Sequence, residues 1–172
     1  MNNNIEVVKG DITEKDYDII VNAANNRLSG GAGVDGMIHY KAGPSLLKEC
    51  LSLNGCETGK AKMTDSYNLP CKKIIHTVGP IYSSNNIDAP KLLKSCYKTC
   101  MELAEKYRVD NNLERITIGF PCISTGIYGY PKEEASHIAI DTIKEINNKN
   151  IDVKFVCFEE YDYKLYIEYL TK

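Results

Sequence analysis

The sequence lacks an excess of either charge, with 21 Lys+Arg against 23 Asp+Glu and a formal net charge of −2. That balance argues against a basic nucleic-acid groove. No apolar run approaches the roughly 18 residues a membrane span needs. Met1-Asn2-Asn3-Asn4 has neither the charged nor the apolar region of a secretory signal. Internal repeats and low-complexity linkers are missing as well. There is no Cys-x-x-Cys pair among the seven cysteines, and none of the three histidines sits at ligand spacing from another histidine or from a cysteine cluster. A disulfide framework and a structural zinc site are therefore not expected. The cysteines read as reduced core thiols, Cys96 and Cys100 sharing one buried helix face. What remains is the composition of a soluble, cytoplasmic protein: 43% hydrophobic, 26% charged. A length of 172 residues fits one domain, 1–172, large enough to bury its own core without a staple.

Apolar periodicity alternates between strand and helix. Strands are predicted at 5–9, 19–22, 61–67, 73–78, 115–120 and 153–158. Helices are predicted at 34–42, 45–53, 90–107, 132–147 and 162–170. Leu93, Cys96, Tyr97, Cys100, Leu103, Ala104 and Tyr107 form an i, i+3, i+4, i+7 stripe. Asp88 and Pro90 mark that helix's start, as capping residue and early-turn proline. In the helix at 132–147, Ala135, Ile138, Ala139, Thr142 and Ile146 fall on one side, and Glu133 and Glu134 suit its positive end. This alternation predicts an α/β layer architecture with a largely parallel sheet, made mixed by an antiparallel pairing of 61–67 with 73–78 across Asn68-Leu69-Pro70. His76, in the apolar run Ile74-Ile75-His76-Thr77-Val78, reads as structural.

Two glycine-rich loops each follow a strand and precede a helix. The first runs from Asn22-Ala23-Ala24-Asn25 to Gly30-Gly31-Ala32-Gly33-Val34-Asp35-Gly36. The second runs Pro121-Cys122-Ile123-Ser124-Thr125-Gly126-Ile127-Tyr128-Gly129-Tyr130-Pro131. Glycine lets backbone N–H groups approach an anion, and a helix N-terminus adds positive partial charge. Loops at strand carboxyl ends of an open α/β sheet form its ligand crevice, so a diphosphate between the two loops is the natural occupant. Residues 31 to 36 spell Gly-x-Gly-x-x-Gly, but a dinucleotide fingerprint needs its glycines directly after the first strand and an acidic residue at a later strand end, and neither holds here. A P-loop is unsupported, since Gly59-Lys60 is followed by Ala61.

Gly10-Asp11-Ile12-Thr13, Ile19 to Asn25, Gly33-Val34-Asp35-Gly36-Met37-Ile38-His39, Ala42-Gly43-Pro44, Thr58-Gly59-Lys60-Ala61-Lys62, Ile75-His76-Thr77-Val78-Gly79-Pro80 and Ile123 to Pro131 together resemble a macrodomain. More narrowly, they resemble the MacroD-type branch of ADP-ribosylhydrolases and O-acetyl-ADP-ribose deacetylases. The resemblance implies a three-layer α/β/α sandwich around a mixed, mostly parallel sheet, with ADP-ribose in the crevice. It places Asp11 and the Ile12 backbone at the adenine, with Phe158 stacking on that ring. Gly33 and Val34 would offer N–H groups to phosphate and distal ribose. Ser124, Thr125, Gly126, Ile127 and Tyr128 would wrap the diphosphate, Tyr128 beside the distal ribose. Asn25 would bind the ribose hydroxyls, and Asp35 matches the catalytic aspartate. Asn22 is read as tying its loop together, outside the catalytic set. Ala32 departs from the family, which has a third consecutive glycine there.

The residue chemistry is compatible with those roles. Asn25 offers a donor and an acceptor to a vicinal diol. Asp35, ionised if hydrogen-bonded or partly solvated, can orient or deprotonate water. The expected reaction is water attack, assisted by Asp35 and the substrate phosphate, on an acyl-linked ADP-ribose, with attack at the anomeric or the acyl carbon left open. A departing carboxylate needs little protonation, which favours esters over serine-linked substrates with only one well-placed carboxylate. The expected partners are ADP-ribose, O-acetyl-ADP-ribose and mono-ADP-ribosylated proteins, with no cofactor, metal, nucleic acid or membrane, and the chain a monomer. The rival class is a non-catalytic ADP-ribose reader, which would not need Asp35 with Asn25.

Overall fold

A computed structural model describes residues 4–172. Six strands, β1 (Ile5–Lys9), β2 (Ile19–Ala23), β3 (Ala61–Asp65), β4 (Lys73–Thr77), β5 (Ile116–Phe120) and β6 (Ile151–Cys157), form one sheet in the order β1-β6-β5-β2-β4-β3. All neighbours are parallel except β3, which pairs antiparallel with β4 at the edge. The sheet is thus mixed and mostly parallel, as the alternating pattern predicts.

Five helices cover it: α1 (Gly33–Ala42), α2 (Pro44–Ser52), α3 (Ala89–Asp110), α4 (Lys132–Ile146) and α5 (Glu160–Leu170). The central strand β2 is apolar on both faces because both are covered. Ile19 and Val21 pack with Leu93, Cys96, Tyr97, Ala139, Ile140 and Tyr166 of α3, α4 and α5. Ile20 packs the opposite way, with Ile38 of α1 and Leu46 and Cys50 of α2. Two buried clusters on opposite sides of one sheet make the α/β/α sandwich.

Element types agree with the sequence pattern, but several ends move. The edge strand stops at Asp65 because Tyr67 is left-handed (φ +51°), which opens the turn into β4. Asp88 precedes α3 but does not cap it: its own backbone is helical (φ −88°, ψ −2°) and its side chain makes no cap bond. A cap carboxylate reaches the first-turn N–H groups from an extended backbone, which Asp88 lacks. Asn147 lies past α4, not in it, as a left-handed C-cap (φ +51°). A short 3-10 turn, Ile12–Glu14, capped by Asp11, was not foreseen. All seven cysteines are free thiols and six are buried; Cys122 and Cys157 approach to 4.0 Å between sulfurs.

Candidate functional site

The carboxyl ends of the five parallel strands point to one edge of the sheet, and a cavity of about 670 Å³ opens there. Gly10–Thr13 after β1, Ala23–Asn25 at the end of β2, Gly79 beyond β4, Pro121, Cys122 and Ser124–Tyr128 after β5 and Phe158 after β6 all line it. The first turn of α1 closes the remaining side through Gly33, Val34 and Asp35. Every residue expected at the site from sequence lines this one cavity: Asp11, Ile12, Asn25, Gly33, Val34, Asp35, Ser124, Thr125, Gly126, Ile127, Tyr128 and Phe158.

Two loops offer backbone N–H groups to it. Ala32, before α1, supplies no side-chain cap, so the first-turn N–H groups of Gly33 and Val34 are not covered by a cap. Gly33 itself is left-handed (φ +62°). In the loop after β5, the hydrogen bonds run from Gly129 N–H to Gly126 C=O, from Tyr130 N–H to Ser124 C=O and from the Thr125 hydroxyl to Cys122 C=O. None of these uses the N–H groups of residues 125 to 128. Ser124 is left-handed (φ +69°) and its buried hydroxyl has no partner. Gly79 makes room for its side chain: a Cβ at Gly79 would run into Ser124 Oγ. Gly79 lines the cavity as well, although the sequence reading gave it no site role.

Asp35 is 5% exposed, on the first turn of α1. Asn22 Nδ2 donates to its Oδ1 at 2.8 Å, and His39 Nε2 lies 3.4 Å from the same oxygen. Both protein contacts converge on Oδ1, and Oδ2 lies where a Cβ on Gly31 would come within 3.2 Å. The glycine leaves space for a water or ligand oxygen beside the carboxylate. Burial pushes the Asp35 carboxyl above its ordinary value, and the Asn22 hydrogen bond and the nearby His39 offset part of that rise. Asn22, read from sequence as tying its loop together, donates to Asp35. Its signal was present in the Asn22-Ala23-Ala24-Asn25 block, but a strand register is needed to see that it faces α1.

Asn25 is more committed than its residue type suggested. Its Nδ2 donates to Gly30 C=O (2.9 Å), and its Oδ1 accepts from Ser29 N–H (3.2 Å) and Ser29 Oγ–H (3.3 Å). One N–H remains, so Asn25 meets a ligand as a donor unless Ser29 gives way. Asp11 is similarly occupied: Oδ1 accepts from Thr13 N–H and Oγ–H (2.9 and 2.6 Å), and Oδ2 from Lys41 Nζ (3.0 Å). Burial raises the Asp11 carboxyl, but the bonds from Thr13 and Lys41 outweigh it and leave it below the ordinary range. Lys41, missed in the sequence, pairs with Asp11 behind this end of the cavity. Phe158 stands 73% exposed on the rim, an unstacked ring. Among the described residues no group of three or more His, Cys, Asp or Glu side chains is arranged to hold a metal.

A Macro domain family profile matches residues 21–139, the greater part of the chain. The chain belongs to the macrodomain family. The ADP-ribose glycohydrolase MACROD2 of Xenopus laevis is 52% identical over 167 residues, which cover 94% of this chain and 38% of that protein. This macrodomain therefore spans little more than a third of that relative's length. A macro domain-containing protein of Methanosarcina mazei is 50% identical over 159 residues, 91% of this chain and 82% of its own. A mutant of the Oceanobacillus iheyensis macrodomain with ADPR matches this macrodomain with a TM-score of 0.90 at 42% identity, covering 99% of this chain and 95% of that one. The Trypanosoma brucei macrodomain in complex with ADP-ribose matches at a TM-score of 0.83 and 41% identity, over 97% and 69% of the two chains.

Proposed function

We propose that the cavity binds ADP-ribose and that this macrodomain hydrolyses ester-linked ADP-ribose, releasing it from acidic side chains of proteins and removing the acyl group of O-acetyl-ADP-ribose. The observation that carries the proposal is the buried, doubly held Asp35 beside two loops of uncommitted N–H groups. A binding module needs only the loops. A carboxylate kept at a raised pKa by burial, with one oxygen anchored and the other beside open space, is what a general base for water requires.

In this reading the N–H groups of Gly33 and Val34 and of the loop 125–128 take the two phosphates from opposite sides. Phe158 stacks on adenine and Asp11 accepts its amino hydrogen, sharing Oδ2 with Lys41. The distal ribose lies between Asn25, which donates to a hydroxyl, and Tyr128. For an acidic side-chain ester, water between Asp35 Oδ2 and a substrate phosphate oxygen gives its proton to Asp35 and attacks the anomeric carbon, whose bond to the carboxylate oxygen breaks without a general acid. For O-acetyl-ADP-ribose it attacks the acyl carbon, the acyl–oxygen bond breaks, and the departing ribose oxygen takes up the proton that Asp35 received. The likeness to an ADP-ribose glycohydrolase and to a macrodomain in complex with ADP-ribose supports ADP-ribose binding and hydrolase activity.

The test uses one carrier protein bearing ADP-ribose on glutamate and another bearing it on serine. Release of free ADP-ribose from the ester and little or none from the serine linkage is expected, with no change in chelator. Binding of ADP-ribose without release from either would make this a reader.

A further inference from the structure

Behind Asp35 a line of polar groups runs through the sheet interior, away from the cavity. His76, on β4 and fully buried, is bracketed by two side chains: its Nε2 lies 2.8 Å from Thr64 Oγ1 on β3, and its Nδ1 lies 3.1 Å from Asn22 Nδ2 on β2. Thr64 Oγ1 also lies 3.0 Å from the Asp65 carbonyl oxygen, and Asn22 Nδ2 reaches Asp35 Oδ1 at 2.8 Å.

The donors in this line can be ordered from its far end. The Asp65 carbonyl can only accept, so the Thr64 hydroxyl spends its single hydrogen there. Thr64 Oγ1 must then accept from His76, which places the imidazole hydrogen on Nε2. That leaves Nδ1 as a bare acceptor, and an acceptor turns the Asn22 amide so that NH2, not oxygen, faces it. One hydrogen of that NH2 goes to His76 and the other to Asp35. With the opposite imidazole tautomer the amide would flip and present its oxygen to the Asp35 carboxylate, turning an attraction into a repulsion.

We propose that His76 is a positioning residue for Asp35: fixed in its Nε2–H form by Thr64, it dictates that Asn22 donates a hydrogen bond to the carboxylate. This rests on the reading of Asp35 as the hydrolytic base. Burial, together with the nearby His39, pushes the His76 imidazole down to about 3, so it is neutral and acts only through its tautomer. The groups facing this line are few. His39 of α1 reaches Asp35 and sits with its ring centroid 6.4 Å from that of His76. Cys50 of α2 brings its sulfur to 3.7 Å from His76 Nε2, and burial pushes that thiol up to about 11, keeping it uncharged at neutral pH. Asn22 Oδ1 is buried with no partner, so nothing on its other side competes to set the amide.

Two readouts test the proposal, neither dependent on turnover: the His76 tautomer, from its ring-nitrogen resonances, and the Asp35 carboxyl pKa, from a carbon-detected NMR titration. Wild type should show Nε2–H. Thr64→Val, which deletes the hydroxyl at nearly constant volume, should raise the Asp35 pKa, and Thr64→Ser should restore it toward wild type. Where wild type turns over ester-linked ADP-ribose, Thr64→Val should lower kcat about tenfold or more with KM and ADP-ribose affinity little changed, because a hydrogen bond to a charged group is lost. Its acid limb should move to higher pH. An Nδ1–H imidazole in the wild type overturns the proposal without any variant being made. So does a folded Thr64→Val with an unshifted Asp35 pKa. Wild type that binds but never releases ADP-ribose, with the pKa shift present, would instead overturn the hydrolytic reading and leave the positioning role standing.

Discussion

Asp35 carries conflicting demands, and its behaviour follows from which wins. Burial favours the neutral acid, while Asn22 and His39 favour the anion; the balance lies above the ordinary carboxylate range. Activity should therefore rise with pH along an acid limb whose midpoint lies above the free-aspartate value of about 3.9. A kcat/KM profile checks this. The same shift has a stability consequence. For a carboxyl whose folded pKa is raised, the favourable contribution is present below the unfolded value and is lost as pH rises through the folded one. Asp35→Asn keeps an oxygen for Asn22 and removes that loss. It should melt at or above wild type at pH 7, with the difference shrinking as wild-type Asp35 is protonated. Thermal melts of both proteins across pH 4–7 decide it. The role read for Asp35 comes from the resemblance to macrodomains; by itself, aspartate at a helix start between glycines is also simply a residue suited to the positive helix end. The saturation of Asn25 by Ser29 and Gly30, and of Asp11 by Lys41, was not readable in the sequence. Those partners are set by loop path, not by residue type.

At the scale of elements, α1 joins the cavity to the sheet, and Gly36 shows how tightly it does so. Inside a helix, Gly→Ala ordinarily stabilises by about 1 kcal/mol. Here a Cβ would run into the Gly31 carbonyl oxygen, which belongs to the cavity loop and cannot swing away like a side chain. The clash wins. Gly36→Ala should lose about 1–3 kcal/mol, as overpacked sites do. It should also weaken ADP-ribose binding because the loop must shift. Denaturant unfolding and calorimetric titration give both numbers. Element types were readable because each has the period its burial demands: β2 is apolar on both faces and α3 carries a buried stripe of Leu93, Cys96, Tyr97, Cys100 and Ala104. The ends were less so. Whether Asp88 caps or merely precedes α3 depends on its backbone angles, which residue identity does not fix.

Across the whole molecule, function is concentrated where five parallel strands end, and the sandwich behind them is largely apolar apart from the line from Thr64 to Asp35. Acid should expose that weakness. A histidine whose folded pKa is lowered contributes stability that is present above its unfolded value and is lost as pH falls toward the folded one. For His76 the window runs from 6.5 down to about 3. Across it stability should fall by up to about 1.4 kcal/mol per pH unit, opposed in part by Asp35. His76→Gln, which does not titrate, should show a shallower dependence over the same window. The layered fold was foreseeable from alternation alone. The buried polar line was not, because its members, Asn22, Asp35, Thr64 and His76, come from four separate elements.

The most direct test of Asp35 as the base pairs turnover with binding: release of ADP-ribose from a glutamate-modified protein by wild type and by Asp35→Ala, with ADP-ribose affinity measured on both. Loss of roughly 10²–10⁴ in rate with affinity largely retained is expected for removal of a general base. Equal rates for the two proteins, with equal affinities, would contradict it.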